Sequence, residues 1–126
     1  MIHTINTTRA PAPAGHYAQA VEWRDLIFVS GQLPVHPESG GKKPGMITEQ
    51  ATQALENVKS ILEEAGSDLN HVLKVTIYIS DIELWGAVNE VYSEFFKGHK
   101  PARAIVPVKL MHFGYQIEID AVAIKG

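Results

Sequence analysis

The chain has 126 residues, 45% of them hydrophobic and 20% charged, the balance of a globular domain and not of a disordered segment. Its formal net charge is −3 and its lysines and arginines are scattered, which argues against the clustered basic surface that nucleic-acid binding needs. Cysteine is absent, so disulfides, thiolate nucleophiles and cysteine-based metal sites are excluded. One domain spanning 1–126 is expected, and so short a chain has little room for a deep private pocket, which makes a site between subunits attractive. The N-terminus lacks a basic region followed by an apolar one, and no apolar run approaches a membrane span of about 20 residues. A soluble, cytoplasmic protein is the expectation.

In chain order, Thr7 to Gly15 carries Pro11, Pro13 and several alanines and predicts an extended arm. From Tyr17 the pattern alternates, with Tyr17, Gln19, Val21 and Trp23 on one side. Arg24-Asp25 supplies a tight turn into Leu26 to Gly31, a continuous apolar run of the kind buried on both faces. The stretch from Pro34 to Gly45, rich in proline and glycine, predicts a loop, with the Lys42-Lys43 doublet solvated within it. A helix is expected from an N-cap at Thr48, with Glu49 in its first turn. Ala51, Ala54, Leu55, Val58, Ile61, Leu62 and Ala65 form its apolar stripe, and Gly66 ends it.

Leu73, Val75, Ile77 and Ile79 then alternate with polar residues, predicting a strand with one core face. Ser80 to Glu83 has the S-x-x-E form of a capping box and opens a second helix, with Leu84, Trp85, Val88, Val91, Tyr92, Phe95 and Phe96 inward. Gly98 and Pro101 stop it. Two further strands, read as a hairpin, run through Arg103 to Val108 and Tyr115 to Ile124, with Pro107 marking an edge or a bulge. The resulting order is β-β-α-β-α-β-β, an α+β layout with a mostly antiparallel sheet and two helices on one face. The other face keeps Val21, Trp23, Tyr78, Val122 and Ile124, and oligomerisation is the simplest way to cover it.

No dinucleotide, P-loop, nucleophile-elbow or zinc-protease motif is present, and the six histidines are dispersed. What stands out is polarity within strands. Glu118 shares a strand face with Gln116, Asp120, Val122 and Ile124, where a carboxylate is costly to bury without a partner or a task. A rim position or a structural ion pair is the alternative. Arg103 offers a rigid fork suited to a carboxylate, although a strand-end surface charge is equally common. On neighbouring strands of a hairpin, the two would place a carboxylate anchor beside an acid/base group.

The segments Val29-Ser30-Gly31-Gln32-Leu33-Pro34, Gln53 to Lys59, Val88-Asn89-Glu90-Val91-Tyr92, Pro101-Ala102-Arg103 and Ile117-Glu118-Ile119 occur in one order along nearly the whole chain. In these the chain resembles the RidA/YjgF family of enamine/imine deaminases. The resemblance implies a chorismate-mutase-like fold and a homotrimer with three sites between subunits. It implies Arg103 as the carboxylate-binding arginine and Glu118 as the water-activating glutamate, with Tyr17, Ser30, Gly31, Asn89 and Ile105 lining the site. The implied reaction is hydrolysis of 2-iminobutanoate or 2-iminopropanoate to the 2-oxo acid and ammonia. The iminium is already electrophilic, so no metal or other cofactor is expected.

Three places depart from the family pattern. Gly15-His16-Tyr17 replaces a usual Gly-Pro-Tyr, Ile105 stands where many members have cysteine, and Val106 to Tyr115 replaces a Leu-Pro-Lys turn. The last brings His112, Phe113 and Tyr115 near the expected mouth, consistent with a bulkier enamine such as 2-aminomuconate or with a plain loop surface. The rival functions are a non-catalytic trimer that binds small carboxylate metabolites, which would tolerate Glu118→Gln, and a chaperone-like protein indifferent to Arg103 and Glu118. A nuclease role fits the acidic balance least.

Overall fold

The computed structural model describes residues 1–40 and 44–126; the Lys42-Lys43 doublet lies outside them. Among the described residues there are six strands: β1 (His3–Ile5), β2 (Ala20–Trp23), β3 (Leu26–Gln32), β4 (Val72–Ile79), β5 (Ala102–Pro107) and β6 (Ile117–Ile124). Helix α1 (Ile47–Glu64) links β3 to β4, and α2 (Trp85–Phe96) links β4 to β5. The sheet order is β1-β2-β3-β6-β4-β5. Every pairing is antiparallel except β4 with β5. The expected α+β class with a mostly antiparallel sheet is the one observed.

Alternation decides which face each strand buries. Ile117, Ile119, Ala121 and Ala123 of β6 are buried, whereas Glu118, Asp120, Val122 and Ile124 are partly exposed on the other side. Helix α1 packs on β3 and β6 and against α2. Its buried stripe of Ala51, Ala54, Leu55, Val58, Ile61 and Leu62 is the one its three- and four-residue spacing predicts. Val88, Tyr92 and Phe96 of α2 join the same core. Gly66 follows α1 with φ 81°, the left-handed turn expected of a C-terminal glycine.

Several local expectations are corrected. The N-terminal residues form a strand, β1, paired with β2, which the short polar segment His3–Ile5 did not announce. Gln19 does not face with Val21 and Trp23: it is buried, and its amide donates to the carbonyls of Thr7 (3.0 Å) and Pro11 (2.9 Å), tying down the arm. Strand β3 is buried on one face only, since Phe28 stands out on the open face at 43% exposure. Helix α1 begins after Met46, not Thr48, because Glu49 accepts from the Met46 N–H (3.3 Å) and Gln50 holds the Gly45 carbonyl (3.0 Å).

A bulge between Val72 and Lys74 buries Val72 and turns Leu73 outward, reversing Leu73's expected direction. The second helix is preceded by a 3₁₀ turn, Ile82–Leu84, capped by Asp81 instead of Ser80. Trp85, expected inward, is 41% exposed.

The largest correction concerns the last two strands. β5 and β6 are not a hairpin: β6 inserts between β3 and β4, and β5 lies outside β4 as the terminal strand. Pro107 therefore ends an edge strand, where its missing N–H costs nothing. The open face carries Trp23, Phe28 and Val106 exposed, with Val21, Tyr78, Val122 and Ile124 half-buried.

Candidate active site

Glu118 sits opposite Tyr78 on the open face of the sheet. The strand on its other side, β3, carries a bulge: Val29 pairs with Ala121 and Gln32 with Ile119, so Ser30-Gly31 together span the place of one residue. Ser30 anchors this bulge by donating its hydroxyl to the Ala18 carbonyl (2.6 Å) and its N–H to the Gln19 carbonyl (2.9 Å). Gly31 then lies against Glu118. A Cβ at position 31 would overlap a carboxylate oxygen of Glu118 and come within 2.9 Å of its carboxyl carbon. The glycine is required by this approach, since its φ is not in the left-handed region.

The carboxylate lines a pocket of about 480 Å³ shared with Tyr17, Ser30, Gly31, His112 and Phe113. Burial pushes the Glu118 carboxyl up from its usual range, the charge of Asp120 adds to the rise, and His112 opposes it. Asp120 itself is raised by burial, and the Tyr78 hydroxyl donates to it at 3.4 Å. Tyr17 is held over the arm by accepting from the Ala14 N–H (3.2 Å). The half-buried Glu118 carboxylate is thereby a stronger proton acceptor than an exposed one.

Arg103 occupies a different place. It pairs with Val75, a core residue, and so projects on the helix side of the sheet. There it donates to Asn89 of α2 (2.8 Å) and its guanidinium lies 4.7 Å from the Tyr92 ring centre and 5.6 Å from that of Trp85. Bonding to the neutral Asn89 amide orients the fork without neutralising it, and the rings restrict its rotation. Asn89, Tyr92 and Arg103 line a separate cavity of about 370 Å³. Ile105 lies further along β5, packed against the core and paired with Ile77.

Of the sequence-predicted residues, the fold thus brings Tyr17, Ser30, Gly31 and Glu118 together, and Arg103 with Asn89, but keeps the two groups apart. Val75 and Tyr78 are three positions apart on β4, so their partners Arg103 and Glu118 point to opposite faces. They are also separated by about 10 Å along the strands and about 10 Å across β4. The expectation that a hairpin would set them side by side is overturned by the insertion of β6. Within one chain they do not form a single site.

The sequence favours a plain loop surface for His112 over a place at the mouth of the site. Its position is decided by the turn at His112–Gly114, where Phe113 adopts φ 62°, ψ 17° and the chain enters β6 beside Glu118. Asp120 and Tyr78 were not singled out. Their signal was the alternation that put them on Glu118's face.

A half-buried carboxylate over a cleared glycine and, on the opposite face, an oriented arginine are the groups the fold presents to a small molecule. Comparison with known proteins gives the family. Residues 7–125 match the family described as Endoribonuclease L-PSP, and the chain belongs to this YjgF/RidA family. A RutC family protein of Pyrococcus abyssi is 47% identical over 96% of this chain and 95% of its own. A mouse protein named 2-iminobutanoate/2-iminopropanoate deaminase is 44% identical over 97% of this chain and 90% of its own. The crystal structure of Escherichia coli TdcF with bound serine superposes with a TM-score of 0.93 at 37% identity, covering 98% of this chain and 99% of that one. The family membership supports an enamine/imine deaminase.

Proposed function

We propose that the protein hydrolyses short-chain 2-imino acids, 2-iminobutanoate and 2-iminopropanoate, to 2-oxo acids and ammonia, in sites between subunits of a homotrimer. The observation that carries this is Glu118, a carboxylate with raised proton affinity seated against Gly31 in an open pocket. Arg103 of a neighbouring copy supplies the carboxylate anchor, since Arg103 and Glu118 of one chain lie on opposite faces. The open apolar face, with Trp23, Phe28 and Val106 exposed, supports association. The mouse relative's name and the serine bound to TdcF favour the same substrate size.

Arg103 grips the substrate carboxylate with parallel hydrogen bonds and holds C2 of the imine near one water. Glu118 takes a proton from that water as its oxygen bonds to C2, while the C=N electron pair moves to nitrogen. The proton passes from Glu118 to the nitrogen of the tetrahedral adduct. The C–N bond breaks as the hydroxyl proton of the adduct passes to the departing nitrogen, so that ammonia leaves and the C–O bond becomes the carbonyl of the 2-oxo acid. The raised affinity of Glu118 suits both transfers.

The test generates 2-iminobutanoate with a threonine dehydratase, traps it with semicarbazide, and follows semicarbazone loss when the protein is added. Wild type should compete effectively, and Arg103→Ala and Glu118→Gln should each lose at least 100-fold, the scale of a positioned acid/base group on the order of 10²–10⁴. Full activity in Glu118→Gln would sink the hydrolase reading. Serine or 2-oxobutanoate binding by an inactive wild type would instead indicate a carboxylate-binding trimer.

A further inference from the structure

Glu118 carries two of the proton transfers in imine hydrolysis, from water and to nitrogen. A further one moves the hydroxyl proton of the adduct to the departing nitrogen. Both atoms are bonded to C2, and direct transfer between them would close a strained four-membered ring, so a carrier is needed. Glu118 is restricted in reach: one of its carboxylate oxygens is turned onto Gly31, in the volume a Cβ would take, and packing against β3 limits its swing.

Two of the other polar side chains lining this pocket are engaged. The Ser30 hydroxyl donates to the Ala18 carbonyl (2.6 Å), and the Tyr17 hydroxyl accepts from the Ala14 N–H (3.2 Å). His112 is the third. Among the described residues its ring meets Phe113 edge-on (5.4 Å) but enters no hydrogen bond, which leaves both nitrogens open to a ligand. Its charge reaches Glu118 and opposes the effect of burial there, so the two groups lie within electrostatic range across one pocket. The ring is also held in place. Phe113 and Gly114 take consecutive left-handed conformations (φ 62° and 76°), the Tyr115 N–H donates to the His112 carbonyl (3.2 Å), and the Tyr115 side chain is buried. A proton carrier fixed by its backbone turn needs little reordering when substrate arrives.

From its place in the pocket, its unengaged nitrogens and its fixed turn, we propose that His112 is a second catalytic residue. It accepts the hydroxyl proton of the adduct and delivers a proton to the departing nitrogen. The proposal rests on the imine-hydrolase reading and adds a carrier to its last step. An imidazole has one nitrogen to accept and one to donate, so a single ring serves both atoms. The O–H electron pair becomes the second C–O bond and the C–N pair stays with nitrogen, which takes the proton and leaves as ammonia. His112 ends the cycle as it began.

The test compares wild type, His112→Ala and His112→Gln on 2-iminobutanoate from threonine dehydratase under semicarbazide competition. His112 is exposed, so both variants should keep the wild-type melting temperature. Each should lose activity on the order of 100-fold, the lower end of the range for a positioned acid/base group. Glutamine keeps a hydrogen-bonding side chain but cannot carry a proton, so it separates transfer from binding. Affinity for 2-oxobutanoate, read by calorimetry, should stay within about twofold, since only a transition-state interaction is removed. Added imidazole should restore His112→Ala in a concentration-dependent way, beyond its effect on the imine without protein, and should leave Glu118→Gln inactive. Full activity in His112→Ala, retained activity in His112→Gln, lost 2-oxobutanoate affinity or no rescue by imidazole overturns the proposal and leaves the hydrolase reading intact. An inactive wild type overturns both.

Discussion

Glu118 and Gly31 are defined by each other: the carboxylate occupies the volume where a side chain at 31 would stand. Because position 31 does not need a left-handed backbone, Gly31→Ala is a test of that volume alone. It is expected to displace Glu118, costing about 1–3 kcal/mol of stability from overpacking and most of the activity, read by thermal melts and the imine assay. Burial holds the Glu118 carboxyl above its unfolded value. The stability this contributes is present below the unfolded pKa and is lost as pH rises through the folded one. Glu118→Gln is therefore expected to raise the melting temperature relative to wild type at pH 7 and to lose that advantage near pH 4. A gain of equal size at both pH values would show that the charge is not what costs stability. In catalysis the sign reverses in usefulness: kcat/KM should fall as acid protonates Glu118 and removes the base.

Among the elements, α2 shows how a local rule is overridden. Its end was expected at Gly98, yet Lys97 takes φ 53°, ψ −117° and donates its N–H to Ser93 (2.8 Å). That conformation is essentially a glycine one, and a lysine there is strained. Lys97→Gly is expected to stabilise the protein by about 1 kcal/mol, seen as a higher denaturant midpoint with an unchanged slope. The bulge in β3 is likewise an element-scale decision. In sequence the strand was read as ending at Gly31, so the glycine passed for a terminus; the pairing of Gln32 with Ile119 shows that it is a bulge within the strand. The apolar stripe of α1 and the alternation of β6 were legible, since each is a repeat within one segment.

For the molecule as a whole, the separation of Arg103 from Glu118 turns the site into a question of assembly. If each site takes Glu118 from one copy and Arg103 from the next, two inactive variants can complement. Equimolar Arg103→Ala and Glu118→Gln, unfolded together and refolded as mixed trimers, should recover activity in about one site in four. Neither variant refolded alone should recover any. No recovery in mixtures shown to contain both chains would place the whole reaction within one copy. The same experiment reads the use of the open face, on which Phe28 and Val106 stand exposed on opposite sides of β6 and β4.

By itself the sequence determined the existence of the two helices, the apolar stripe of α1, the core face of β4 from Val75 onward and that of β6, the tight turn at Arg24-Asp25 and the polar residues that do not belong in an apolar strand. These are properties of spacing, and periods of two and 3.6 residues are local. It also carried the motifs that point to the family. Only the tertiary structure decided that β6 lies between β3 and β4, that β1 adds an edge, and that Arg103 and Glu118 face opposite ways. Strand neighbours are chosen by the burial of faces contributed from distant segments, so two strands adjacent in sequence need not be adjacent in the sheet. The fit of Glu118 over Gly31 follows from that arrangement and from nothing shorter in range.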